Sequence, residues 1–259
     1  MKITWYGAAT LLIESGDTRI MIDPSKGLSH SENSPSWEEL MTAENILLTS
    51  SRIERIHNIP LIVNTSGATV YCSHTPAAIL EKDRTYPDLI AVVKPGLSLV
   101  FGDIHVNVLK GDPDSGRDIS YGKHRLKSFH SLRCPGNALF LGTHLSRYAD
   151  AGETLCYSMT SEGRTILVPG SLGLDADTDY PKYADMLVLP YQGDDTLIND
   201  AVALIDRICP RTVLLDMFDD SCPPMTRTSS TKGLHKVLQA RYPELPVVKP
   251  RAGKPVTLL

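Results

Sequence analysis

The chain has 259 residues, 42% of them hydrophobic and 22% charged, with a formal net charge of −4. That balance buries a full core and excludes a disordered polymer, and the small negative charge excludes a global attraction to nucleic acid. No apolar run approaches the roughly 20 residues that span a bilayer.

Short strands open the chain. "KITWYG", "ATLLIES" and "TRIMIDP" follow one another with turn residues at Ser15-Gly16-Asp17 between the last two. The first meets polar residues too early for a signal peptide and reads as a folded strand. "SWEELMTAE" predicts a short helix with Ser36 as N-cap. "NILLTSSRIERIHN" (45–58) then presents a buried strand, Ile46-Leu47-Leu48, that stops at Thr49-Ser50-Ser51. A dense polar loop carrying Arg52, Glu54, Arg55 and His57 follows, and α/β proteins keep their chemistry in such loops.

"ATVYCS" is a predicted strand, and "TPAAILEK" a helix with Thr75 capping and Pro76 at its first position. "DLIAVV", "LSLVFG" and "IHVNVLKG" are strands, the last alternating Ile104, Val106 and Val108 against His105 and Asn107. Residues 111–153 lose this regularity apart from a predicted "NALFLG" strand, and read as an inserted lid-like segment. Its stretch 121–133 carries Lys123, His124, Arg125, Lys127, His130 and Arg133 without an acid, which suits a solvated basic loop or an anion-steering lid. "TLCYSMTSEGRTILVPGS" predicts a hairpin and "DMLVLP" a buried strand. "TLINDAVALIDRICP" predicts an amphipathic helix with Leu197, Ile198, Ala201, Val202, Leu204, Ile205 and Ile208 on its apolar face. A strand "RTVLLDMF", a helix "TKGLHKVLQARYP" and a strand "KPVTLL" close the chain. No linker separates domains, so residues 1–259 form one domain, with 1–110 and 154–259 expected as its two halves.

Cys72, Cys134, Cys156, Cys209 and Cys222 are odd in number and form no C-x-x-C pair. Reduced thiols in a cytoplasm are therefore expected rather than a zinc ribbon or a disulfide framework. His30, His74, His105, His144 and His235 are scattered, without metal-ligand spacing. No G-x-S-x-G elbow surrounds Ser50, Ser51 or Ser171.

Taken in order, several of these segments resemble the metallo-β-lactamase fold, in the branch of the ascorbate-6-phosphate lactonase and related predicted metal-dependent hydrolases. "MKITWYGAATLLIESGDTRIMIDP", "VVKPGLSLVFGDIHVNVL", "GRTILVPGSLGL", "ADMLVLPYQG" and "NDAVALIDRICPRTVLLDMFDD" carry the resemblance across most of the chain outside 111–153. It implies an α/β, four-layer αβ/βα sandwich. It also places the family's T-H-x-H-x-D-H metal signature on Thr49-Ser50-Ser51-Arg52-Ile53-Glu54-Arg55. There the histidines become Ser50, Arg52 and Arg55 and the aspartate becomes Glu54. The bridging aspartate falls on Ser171, the terminal histidine near Phe218, and the histidine of the early G-H-A on Ala8. Asp23, which supports the site in the family, is retained.

Zinc needs three or four imidazoles, thiolates or carboxylates at about 2.0–2.3 Å. Hydroxyls serve poorly, and guanidinium and phenyl groups not at all. The favoured reading is thus a degenerate metal site without a cofactor, in a binding, regulatory or scaffold protein. Ser50, Arg52, Glu54, Arg55, His57, Ser171, Asp216, Phe218 and Asp219 are its candidate pocket. The two arginines either hold a small anionic ligand or pair with acids such as Asp216 and Asp219. One alternative is a metal-dependent hydrolase of lactones or phosphoesters with a rebuilt carboxylate centre. Asp23, Glu54, Asp216 and Asp219, with His57, Asp112 and Asp114 near, would then hold Mg²⁺ or Mn²⁺. The other is an inactive, nuclease-like subunit associated with nucleic acid, which rests on fold analogy alone. Neither a membrane nor, in the favoured reading, a nucleic-acid partner is expected.

Overall fold

A computed structural model describes residues 1–112, 133–148, 153–192 and 196–258. Two sheets lie face to face with helices outside each, the arrangement expected from sequence. Among the described residues the first sheet has the order β15-β1-β2-β3-β4-β5-β6. These are Lys2–Trp5 (β1), Leu11–Ser15 (β2), Thr18–Ile22 (β3), Asn45–Leu47 (β4), Thr69–Cys72 (β5), Ile90–Val92 (β6) and Pro255–Thr257 (β15). The second runs β11-β8-β9-β10-β12-β13-β14, with β7 also on β8. Its strands are Ser98–Phe101 (β7), Ile104–Asp112 (β8), Thr154–Ser161 (β9), Arg164–Pro169 (β10), Gly173–Leu174 (β11), Met186–Pro190 (β12), Val213–Asp216 (β13) and Val247–Val248 (β14).

The expected halves need correction. The chain changes sheets between β6 and β7, not after residue 110, because β8 pairs along its length with β9 (His105 opposite Thr160). The last strand returns to the first sheet, with Lys2 opposite Thr257.

Strands covered on both faces read as nearly unbroken apolar runs. In β2 and β3, Leu11, Ile13, Ile20 and Ile22 enter the core between the sheets, while Leu12 and Met21 face the outer helices. Ile3, Trp5, Leu12, Ile20, Ile22, Leu47, Val106, Val108, Ile166, Leu187, Leu189 and Val213 are all buried. Ser36 caps α1 (Trp37–Leu40) through a full capping box with Glu39.

Three local expectations fail for identifiable reasons. The polar stretch after β4 is not a loop but α2 (Ile53–Ile56) followed by α3 (Ile59–Ser66). Ile53, Ile56, Ile59, Ile62 and Val63 recur at helical spacing and are all buried, beneath charges that mask the period. The helix α4 (His74–Lys82) starts two residues early, with Ser73 at the N-cap. Thr75 sits inside it and gives its backbone N–H to Glu153 at 2.9 Å. "NALFLG" belongs to a helix, α5 (Pro135–His144), not a strand. Pro135 at its first position suits a helix start, and the four-residue spacing of buried Asn137 and Leu141 makes one helical face. Of the proposed 111–153 lid, residues 113–132 and 149–152 lie outside the described residues, and with them Asp114 and all of the basic stretch except Arg133. Two further helices, α6 (Leu197–Ile208) and α7 (Lys232–Arg241), cover the second sheet as expected.

Candidate functional site

The carboxyl ends of four strands meet at one edge of the sandwich. Asp23 follows β3, Thr49–Ser51 follow β4, Gly170–Ser171 follow β10, and Met217–Asp219 follow β13. Backbone contacts tie these ends together: the Asp23 N–H donates to the Leu47 carbonyl at 3.0 Å, and the Leu155 N–H to the Thr49 carbonyl at 2.8 Å. Ligand crevices in α/β folds form at such strand ends.

Arg55 lies at the centre, 1% exposed, carried inward by α2. Its Nη1 is 3.5 Å from Asp23 Oδ2 and donates to Thr49 Oγ1 and, at 3.4 Å, to Ser50 Oγ. Its Nη2 faces Met217 Sδ at 3.2 Å. Asp23 is held from the other side, accepting the Thr49 N–H at 2.8 Å and the Thr49 hydroxyl at 2.5 Å. The acid that pairs with this arginine is therefore Asp23, not Asp216 or Asp219. Asp219 is engaged elsewhere, accepting the Ala8 N–H at 3.0 Å and Asn33 Nδ2 at 3.1 Å.

Burial raises the Asp23 carboxyl above its ordinary range, against the pull of Arg55 and Thr49. Burial pushes Asp216 well above that range; Arg55 opposes the rise, and Asp219 and Asp23 add to it. The Arg55 guanidinium acts on two buried carboxyls, Asp23 and Asp216, and the Asp216 Oδ1 has no hydrogen-bond partner. Low dielectric makes such a group costly when charged, which favours the neutral form of Asp216.

The other candidates separate. Ser171 donates its hydroxyl to the Asp112 carbonyl at 2.6 Å, fastening β11 to β8. Phe218 stacks on Trp5 at 4.7 Å between centroids, with Lys249 Nζ 4.7 Å above its ring. Arg52 is half-buried at the N-cap of α2. Glu54 and His57 line a cavity of about 10 Å³, room for one water, with Ala8, Ser25 and Cys222. The His57 Nδ1 lies 2.6 Å from the Ile53 carbonyl, which places its proton there, and burial lowers its basicity. Asp112 is exposed and enters only through its carbonyl.

Sequence reasoning missed Thr49, the link between Asp23 and Arg55, and Met217, the second contact of the guanidinium. It also missed the left-handed backbone at Ala8 (φ 49°), Asp23 (φ 46°) and Met217 (φ 55°). Strain of about 1–3 kcal/mol at such positions tends to gather at functional sites. None is glycine, so no residue type signalled it.

A metal centre requires donors that converge. Among the described residues no group of three or more His, Cys, Asp or Glu side chains is placed to hold an ion. The carboxylate set Asp23, Glu54, Asp216 and Asp219 is divided between the arginine, the small cavity and the Ala8–Asn33 loop. These residues do not fit the metal that the resemblance implies.

Residues 2–217 match the family model for the Beta-lactamase superfamily domain. A UPF0173 metal-dependent hydrolase of Haloarcula marismortui is 26% identical over 172 residues, 63% of this chain and 64% of the relative. One from Exiguobacterium is 34% identical over 83 residues, 32% of this chain and 36% of the relative. The chain thus matches less than two thirds of the length of these relatives. A solved metallo hydrolase of Ignicoccus hospitalis superposes with a TM-score of 0.69 at 14% identity, covering 98% of this chain and 97% of that one. An isothiocyanate hydrolase from Delia radicum gut bacteria gives 0.61 at 15%, covering 99% of each. At these identities the structural likeness carries the fold alone.

Proposed function

This chain belongs to the Beta-lactamase superfamily domain family, and from that premise we propose that it is a metal-free member that binds or regulates rather than hydrolyses with zinc. The observation that carries the reading is the Arg55 guanidinium, buried and paired with Asp23 at the end of β4. A charge placed about 4 Å from a dication at an effective dielectric of 20 opposes it by about 8 kcal/mol. Ser50, in the position of a histidine, accepts from the same guanidinium. The relatives are named metal-dependent hydrolases, but the residues here supply no ligand set through which to derive a hydrolytic step. No geometry favours the carboxylate-rebuilt hydrolase or the nucleic-acid reading over this one.

Within the same reading, the described part of the 111–153 segment covers the loops after β3 and β13. The docking of α5 supports this: Asn137 Nδ2 donates to the Ser29 and Pro223 carbonyls, both at 2.8 Å. A cytoplasmic location is supported by five free thiols, four of them buried; cell fractionation finding the protein outside the cytoplasm would contradict it. Among the described residues no helix is long and apolar enough to cross a membrane.

Elemental analysis of the purified protein tests the central proposal. Zinc far below one ion per chain is expected; about one or two tightly held ions would overturn it.

A further inference from the structure

With Arg55 committed to Asp23, an external anion needs another cationic site, and a second cavity supplies one. It measures about 280 Å³ and is walled by His30, Arg133, Cys134, Asp220, Pro223, Pro224, Thr226 and Arg227, near the lower size of small-molecule pockets. Three chain segments contribute a basic group each: His30 from the loop after β3, Arg133 from the start of α5, and Arg227 from the loop after β13. Both guanidinium groups belong to exposed residues. The walls are fastened to one another, since Asn137 bonds the Ser29 and Pro223 carbonyls. The amino end of the ten-residue α5 meets the same cavity; Cys134 at its N-cap makes no side-chain capping bond. Its first backbone bond runs from the Ala138 N–H to the Cys134 carbonyl, at 2.9 Å. The acid in the wall, Asp220, already accepts the Thr226 hydroxyl at 2.8 Å. Nearby Glu32 accepts the Thr228 hydroxyl at 2.7 Å.

We propose that this cleft between Arg133 and Arg227 binds a small oxyanion, a phosphate or the phosphate group of an ester. The tetrahedral group offers oxygens to several walls at once, guanidinium forks match pairs of them, and a helix amino end adds backbone donors. The inference rests on the binding reading above for its biological sense, but the cleft itself is independent of the former metal pocket.

The test is a thermal-shift titration of the full chain with inorganic phosphate and with pyrophosphate, against chloride at equal ionic strength. Wild type is expected to melt higher as either probe is added. Arg133→Gln and Arg227→Gln, both surface changes, should keep the anion-free melting temperature and weaken apparent phosphate affinity about tenfold each. The paired Lys variants, which keep charge and lose the fork, should fall between. No shift up to about 10 mM of either probe, or an undiminished shift in the double Gln variant, overturns the proposal. Zinc measured on the same samples separates the two readings. Stoichiometric zinc with a response that still depends on the cleft arginines refutes the metal-free reading and leaves this one standing. Metal-free protein that ignores phosphate does the reverse.

Discussion

Arg55 is a cation enclosed among acids, and removing it tests whether its role is internal. Arg55→Ala leaves Asp23 buried without its counter-charge and removes the cation that opposes the rise at Asp216. Loss of one member of a buried pair costs about 3–5 kcal/mol, so urea unfolding should show a destabilisation of that order. A change below about 1 kcal/mol would mean that the guanidinium is not holding the centre together. Asp216 gives a second handle. Its carboxyl keeps a proton to higher pH when folded than when unfolded. The folded state therefore binds more protons in that window. Stability from this group is complete below the ordinary carboxylate range and is lost as pH rises through the raised value. Asp216→Asn removes the titration, so the variant should gain on wild type as pH increases. Denaturant midpoints from about pH 5 to pH 8 check the sign; parallel curves would refute it.

Helix α5 is the element that ties the strand-end loops together. The Asn137 amide serves two carbonyls from loops far apart in sequence, and Phe140 meets the His57 ring edge-on with centroids 5.9 Å apart. Asn137→Ala withdraws both donors and should cost about 1–3 kcal/mol. The loss should be local: hydrogen exchange ought to quicken in α5 and at residues 28–31 while β9 and β10 stay protected. Uniform acceleration would place Asn137 in the global core instead. This element was misjudged from sequence because a short apolar run such as Ala138-Leu139-Phe140-Leu141 has no period that separates strand from helix. The α2–α3 pair is hidden for a different reason: interleaved charges mask its isoleucine period.

The two sheets are joined at the site end by close backbone contact. The Tyr157 hydroxyl donates to the Leu48 carbonyl at 2.6 Å, across from the second sheet to the first. A Cβ on Gly170 would meet the Leu155 carbonyl oxygen at 2.7 Å and the Thr49 Cβ at 2.8 Å. Gly170→Ala should therefore push the strand ends apart and cost about 1–3 kcal/mol. Because Thr49 moves with them, the Asp23–Thr49–Arg55 link should loosen too. Calorimetry of Gly170→Ala beside Arg55→Ala and their double variant measures this, with less-than-additive losses expected. Strict additivity would show that sheet junction and buried pair are independent.

What the sequence determined by itself was whatever depends on local period and composition. Most strands of both sheets, the Ser36 cap and the family pattern were legible, but the two-residue strands Gly173–Leu174 and Val247–Val248 were not, because so short a run carries no period. Tertiary structure decided which partners Arg55 takes. Arg55 and Asp23 are 32 residues apart in the chain, and only the parallel pairing of β3 with β4 (Ile22 opposite Leu47) brings them together. Helix α2 carries Arg55 inward to Asp23, while Asp219, three residues beyond Asp216, follows the left-handed turn at Met217 and accepts the Ala8 N–H. Charge types can be read from a string of residues. Which opposite charges share one buried volume depends on strand order and backbone direction, and these arise from the packing of the whole chain.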